Sequence, residues 1–285
     1  MKKSLITVFS AATLIGMTAC GSDNATSDDG MNVEEILNES ISAMQSVDSY
    51  SMNMNMSQEM SDGEEAMAID MSSEASFTVD PMTLMQTTKI DMGDLGMGGE
   101  HEAMETVSYF TKEDGFFTEN PMMEGWLKLP ESAMEDMLAM SEAQVNPEEQ
   151  LEPLMDYVNE LSVESSDDSH VITLSGDGLD MEDLLAQMEG LGLEGMDPMM
   201  GEMMEDIDIE AFAYDITIDK ETFYQTESTV EMTMNIDMMG QTMSIDQTIH
   251  TIFSEFNEID PIEIPQEILD NAEEASEEDM MGGGF

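Results

Sequence analysis

The sequence predicts an α+β domain: one broad antiparallel sheet, apolar on one face, with helices covering that face. Three observations predict it. Long stretches near both ends of the chain alternate apolar and polar residues with period two, the pattern of half-buried antiparallel strands. An amphipathic segment of helical period precedes them, and further helical segments fall in the middle of the chain. No repeat and no motif divides the region from 32 to 275.

The N-terminus is read apart from this domain. Lys2 and Lys3 precede a weakly polar to apolar run, Leu5 to Ala19, which suits the h-region of a signal and is short for a span. It ends in Met17-Thr18-Ala19-Cys20-Gly21. Small residues before a cysteine resemble a bacterial lipobox, with Met17 where leucine is usual. Cys20, the one cysteine of the chain, then becomes the lipidated first residue. Residues 1–19 are thus expected to be a lipoprotein signal peptide, and 20–31, small and polar, a lipidated flexible tether. The lipid, with palmitate among its acyl groups, would hold the protein on the extracytoplasmic face of the cell membrane.

Residues 32–47 form the first predicted helix. Val33, Ile36, Leu37, Ile41, Met44 and Val47 share a stripe, and Asn32 with Glu35 makes a capping box. The period then falls to two: Tyr50, Met52, Met54 and Met56 alternate with Ser51, Asn53, Asn55 and Ser57. Met67, Ile69 and Met71 repeat the pattern, and FTVDP and MTLMQTTKIDM follow. A loop is expected over 93–102, a hairpin at Asp114-Gly115, and a closing strand at Trp126 to Pro130. Helices are predicted after Ser132 (with Met134, Met137 and Leu138), after Asn146-Pro147, and after Asp180 (with Leu184, Leu185 and Met188). A short hairpin falls near 161–175, and a Met- and Gly-rich loop covers 192–206. Tyr214, Ile216 and Ile218 begin the last strands. If Met239-Gly240 is a two-residue turn, Ile236 faces Met243, Met234 faces Ile245 and Val230 faces Ile249, apolar against apolar. A last helix spans 265–275, and 276–285 is an acidic, glycine-rich tail. Residues 32–275 form one domain.

Charge sets the medium and excludes one class of partner. The chain has 6 lysines, no arginine and 65 acids, a formal charge of −59. From Cys20 onward Lys89, Lys112, Lys128 and Lys220 stand against all 65 acids, a net of −61. Phosphate contacts need Lys or Arg, so nucleic acid is excluded as a partner. The acids are spread along the whole chain, which reads as adaptation to a saline (halophilic) or alkaline medium, where salt screens the repulsion. The alternative is attraction of cations or of a basic partner.

Chemistry is sparse. His101, His170 and His250 are far apart, and there is no HExxH, GxSxG, P-loop or dinucleotide fingerprint. No catalytic residue, cofactor or metal ligand is nominated, and the protein is expected not to be an enzyme. The 35 methionines are first of all core residues, but thioethers also suit Cu(I). Met92, Met97, His101 and Met104 lie close in sequence, so a copper-binding protein is a rival reading.

The layout resembles the lipoprotein-carrier-like fold of LolA and the mycobacterial LppX group, especially small lipoproteins of Gram-positive bacteria. Cys20, the junction AMQSVDSYSMNM, the segments EDGFFTENPMMEGWLKLP and DITIDKETFYQTE, and the ending FSEFNEIDPIEIPQEILDNA carry the resemblance. It implies a strongly curved sheet, a half-barrel, with helices packed on its concave face and acyl chains held on that side. The expected function is a membrane-anchored, non-catalytic lipoprotein that binds or carries a lipid or other long apolar ligand. Its candidate face is Met52, Met54, Met56, Met67, Ile69, Met71, Met232, Met234, Ile236, Met243 and Ile245. A scaffold or interaction lipoprotein with a filled core is the bland alternative.

Overall fold

The computed structural model describes residues 27, 30–61, 63, 66–91, 93, 103–119, 125–130, 147–176, 207–238 and 241–275. The signal peptide with Cys20, most of the tether, the loop over 94–102, the helices expected near 132–138 and 180–190, the loop 192–206, the turn at Met239-Gly240 and the tail from 276 lie outside the described residues.

Helix α1 (Val33–Met44) starts as the sequence requires. The Asn32 side chain accepts from the backbone N–H of Glu35 at 2.9 Å, and the Glu35 carboxylate accepts from the N–H of Asn32 at 3.1 Å. That pairing satisfies two of the orphan donors of the first turn, and Glu34 and Glu35 meet the positive end of the helix dipole. Val33, Ile36, Leu37 and Met44 are buried along one stripe.

Most of the remaining described chain builds a single curved, open sheet of 12 strands. In chain order these are β1 (Ser49–Ser61), β2 (Ala66–Thr78), β3 (Thr83–Asp91), β4 (Met104–Thr111), β5 (Gly115–Glu119), β6 (Trp126–Lys128), β7 (Ser162–Ser165), β8 (Ser169–Ser175), β9 (Ile207–Asp219), β10 (Gln225–Met238), β11 (Gln241–Ser254) and β12 (Glu273–Glu274). Their spatial order is β12-β6-β5-β4-β3-β2-β1-β11-β10-β9-β8-β7. From β1 to β6 and from β7 to β11, neighbours in sequence pair antiparallel. Two longer-range joins complete the sheet. β1 pairs β11 antiparallel over eleven residues, which seals the two halves of the chain along one seam. β12 pairs β6 in parallel.

The turns use the chemistry their sequences offer. At Asp114-Gly115 the glycine has φ 100°, a conformation its missing Cβ allows, and the Asp114 N–H donates to the Thr111 hydroxyl at 2.9 Å. The β10–β11 register is the one that a turn at Met239-Gly240 predicts: Ile236 pairs with Met243, Met234 with Ile245, and Val230 with Ile249.

Alternation divides the sheet into two faces. The core under α1 is built on one of them: Tyr50 stacks on Phe77 with centroids 4.9 Å apart, and Phe253, Ile216, Ile218 and Ile172 join them. Leu151, Leu154 and Val158 close the same core.

Three expectations are corrected. The segment after Asn146-Pro147 is two 3₁₀ turns, Pro147–Gln150 and Glu152–Tyr157, and not one α-helix. Pro153 stands in the first turn of the second and lacks the N–H an α-helical ladder would need, so the chain restarts there. The last helix, α2, is only Gln266–Asn271, and the chain leaves it to add β12 beside β6. Finally, the two described α-helices do not share a face. α1 packs with Tyr50 and Phe77, whereas Ile268 of α2 packs with Ile264 and Phe117, and Phe117 pairs with Tyr109 and Lys128 on the opposite side of the sheet. The C-terminal segment reaches β6 only from that side, so its apolar residues cover that face.

Candidate functional site

Registers carry the site. Beyond the core under α1, the same face continues along β2, β1, β11 and β10. On β1, Met52, Met54 and Met56 follow Tyr50 at period two. Met52 pairs with Ala75 and Phe253, Met54 with Ser73 and Thr251, and Met56 with Met71 and Ile249. Met67 pairs with Met60, and Ile69 with Gln58. Met60 also pairs with Ile245, Ile245 with Met234, Met243 with Ile236, and Met232 with Gln247. All eleven sequence-selected residues therefore lie on one face of four adjacent strands.

Exposure grades along this face. Ile236 and Ile245 are buried, most of the methionines are half-buried, and Met67 is 39% exposed. Several residues of the same rows were not selected. Met60, Val230 and Ile249 are in phase with the chosen ones, so alternation alone could have found them. Gln58 and Gln247 are also in phase and pair with one another, and the Gln247 amide donates to the Met56 sulfur at 3.3 Å. A polar side chain at an inward position breaks the pattern, so only the register reveals it.

The charges lie elsewhere. No Asp, Glu or Lys occupies an in-phase position of this face on β2, β1, β11 or β10 between Tyr50 and Met60 or at their partners. The opposite face carries Glu59, Asp70, Glu74, Glu231 and Asp246. It also carries Lys89, whose ammonium meets the Glu105 carboxylate at 2.7 Å and is held in its charged form by that hydrogen bond. Two open grooves of about 450 and 320 Å³ lie chiefly on this polar face. The larger is lined by Asn55, Ser57, Asp70, Lys89 and His250 among others, together with Met56 and Met71 of the methionine rows, and Met52 lines the smaller.

The two described histidines stay apart. His170 is buried on β8, where its Nδ1 lies 2.8 Å from the Ser165 hydroxyl across the β7–β8 hairpin. His250 on β11 meets Glu227 at 2.5 Å on the polar face. His101, Met92 and Met97 of the copper reading lie outside the described residues, and Met104 is on β4 opposite Ile90. Among the described residues, no helix is long and apolar enough to cross a membrane. Burial is strong enough on the core side to push the Tyr214 phenol up to about 12.

Among solved structures, the chain is similar to a LolA superfamily protein from Nitrosomonas europaea, the group its residues resemble. The identity is 8%, covering 84% of this chain and 98% of that one, with a TM-score of 0.24. It is similar as well to a DUF1329 family protein from Desulfovibrio piger, at 9% identity over 79% of this chain and 93% of that one, TM-score 0.25. Superpositions this loose carry no argument about a ligand. No curated protein matches the chain. The family assignment rests on the sequence: by the match of residues 32–273, the chain belongs to DUF6612, a family of unknown function.

Proposed function

We propose that this protein is a non-catalytic lipoprotein, anchored through Cys20 on the extracytoplasmic face of the cell membrane, that holds a lipid or other long apolar ligand against its methionine-rich face. One observation carries the reading. In a chain with 65 acids, a face four strands wide is free of charge, and beyond the α1 core it remains half-buried rather than sealed. Methionine suits such a surface because its unbranched, polarizable side chain adapts to a flexible chain laid on it. Burial of each CH₂ contributes about 0.8 kcal/mol, so an acyl chain gains several kcal/mol after ordering costs. In this reading the apolar face is the concave side of a half-barrel, and α1 closes one end of it.

The test is extraction. Protein purified from its native membrane, along with its Cys20→Ser form, is analysed by mass spectrometry for bound lipid and for metal, and both forms are labelled with palmitate in the cell. Expected are palmitate on wild type only, and co-purifying apolar ligand that is lost in Met54→Asp or Met234→Asp variants of unchanged circular dichroism. Equal labelling of both forms removes the anchor. Stoichiometric copper replaces the lipid reading, and a protein that arrives empty and takes up no fatty acyl probe is a scaffold.

A further inference from the structure

Two polar side chains are sealed into the core that α1 closes, and neither is satisfied there. Gln225 opens β10, pairs with Ile218 of β9 and is fully buried. Ser40 is fully buried on the inward stripe of α1, with Ile36, Leu37 and Met44. Ile218 and those three α1 residues belong to one core. Both amide atoms of Gln225, Oε1 and Nε2, and the Ser40 hydroxyl have no hydrogen-bond partner among the described residues. The Tyr214 phenol is a neighbour of the amide, which offsets part of the rise that burial imposes on it, but neither amide atom reaches hydrogen-bond geometry. A buried amide without partners destabilises a fold. Methionine has nearly the length and shape of glutamine and would fill the place without that cost. This chain carries 35 methionines and sets glutamine here. A position that keeps such a cost points to a bond made with a group from outside.

The chemistry of the amide narrows the class. Its oxygen accepts and its nitrogen donates, side by side, so its full complement is a group that donates and accepts from one carbon. An ester has no donor for Oε1. A carboxylate has none either, and it would leave water for a core in which no Asp, Glu or Lys is buried among the described residues. A carboxamide meets both atoms and carries no charge. From Gln225, the residues of β10 in phase with it after the bulge are Ser228, Val230 and Met232. Met232 is seven residues on, about 23 Å at the rise of a strand, the length of a long acyl chain. We infer that Gln225, with Ser40, is the head-group site for a long-chain carboxamide, whose tail runs out along β10 onto the methionine rows. The ligand enters from those rows and parts α1 from the sheet to reach the amide. The inference rests on the apolar-ligand reading above and gives it a ligand class and a polarity: head under α1, tail toward Met232.

Three radiolabelled probes test it on the purified, delipidated full-length chain in about 1 M salt, where repulsion at a distance is screened: oleamide, methyl oleate and 1-octadecene. Oleamide is expected to bind about five- to tenfold more tightly than either of the others, the effect of neutral hydrogen bonds made in place of orphaned groups. Gln225→Met is expected to abolish that preference and leave octadecene unchanged. In the ligand-free protein the same variant is expected to raise the melting temperature by a few degrees, because it removes two unsatisfied atoms. A lowered melting temperature would show that the amide is already bonded in the resting protein, to water or to a neighbour, and would overturn the site. Ser40→Ala, a smaller change, should show part of the oleamide loss and keeps the test open if Gln225→Met does not fold; no loss in Ser40→Ala then overturns the site as well. If octadecene binds but oleamide is no tighter, or if Gln225→Met holds oleamide as wild type does, the head-group site falls and the apolar-ligand reading stands. If wild type binds none of the three, the apolar-ligand reading itself falls.

Discussion

Asp219 shows how single residues set the local structure. It ends β9, and its carboxylate accepts from the backbone N–H of Thr222 at 2.8 Å, from the Thr222 hydroxyl at 2.8 Å and from the N–H of Glu221 at 3.1 Å. These bonds, led by that from the Thr222 backbone, hold its carboxyl below the usual carboxylate range. Lowered in the folded state, this pKa gives a contribution to stability that is present above the unfolded value and lost as pH falls through the folded one. Asp219→Ala is expected to lower unfolding stability in urea by about 1 kcal/mol at pH 7, and by less near pH 2.5, where wild type has begun to lose the same bonds. An equal loss at both pH values would show that the turn does not depend on the charged carboxylate. Asp in a turn before Thr was visible in the sequence; the three bonds it makes were not, because they depend on the path of Lys220 to Phe223, where Phe223 takes φ 57°.

At the scale of elements, the strands were legible because alternation records which face is buried. The β10–β11 register followed from matching apolar partners about a two-residue turn. The β1–β11 seam did not, since about 190 residues separate the pairs and local pattern says nothing of long-range partners. That seam creates charge contacts which no hairpin rule foresees: Glu59 stands directly opposite Asp246. Within the β2–β3 pair, Asp70 likewise stands opposite Asp91. Like charges at opposed positions destabilise a sheet by about 0.2–1 kcal/mol. Glu59→Lys converts one such pair into an attractive one. It is expected to raise the melting temperature by a few degrees at low salt, and the gain should shrink at about 1 M salt. A gain independent of salt would mean that the substituted side chain acts through packing of its aliphatic stem and not through its charge.

Over the whole molecule, repulsion among 65 acids acts on the compact state more than on the extended chain, so screening favours folding. Unfolding temperature is expected to rise from about 10 mM to about 1 M salt, as the screening length falls from roughly 30 Å to 3 Å. A flat curve over that range would show that the two-faced sheet already holds its charges far enough apart. The sheet is arranged to do part of this work. Acids line one face, and the other, with Tyr50 and the methionine rows, is shielded from them by the thickness of the sheet itself.

The sequence by itself determined the first helix and its cap, nearly all the strands, the inward phase of the methionines and the acidic outer face. Each of these is written in the spacing of neighbouring residues, because period and capping are local properties of the backbone. Only the tertiary structure decided the order of strands, the parallel β12, and the placing of α2 opposite α1. Only it brought Met54, Met71, Met234 and Ile245 onto one surface. Those outcomes depend on pairings across tens to hundreds of residues, where the free energy comes from which face a distant strand can bury and not from any local preference.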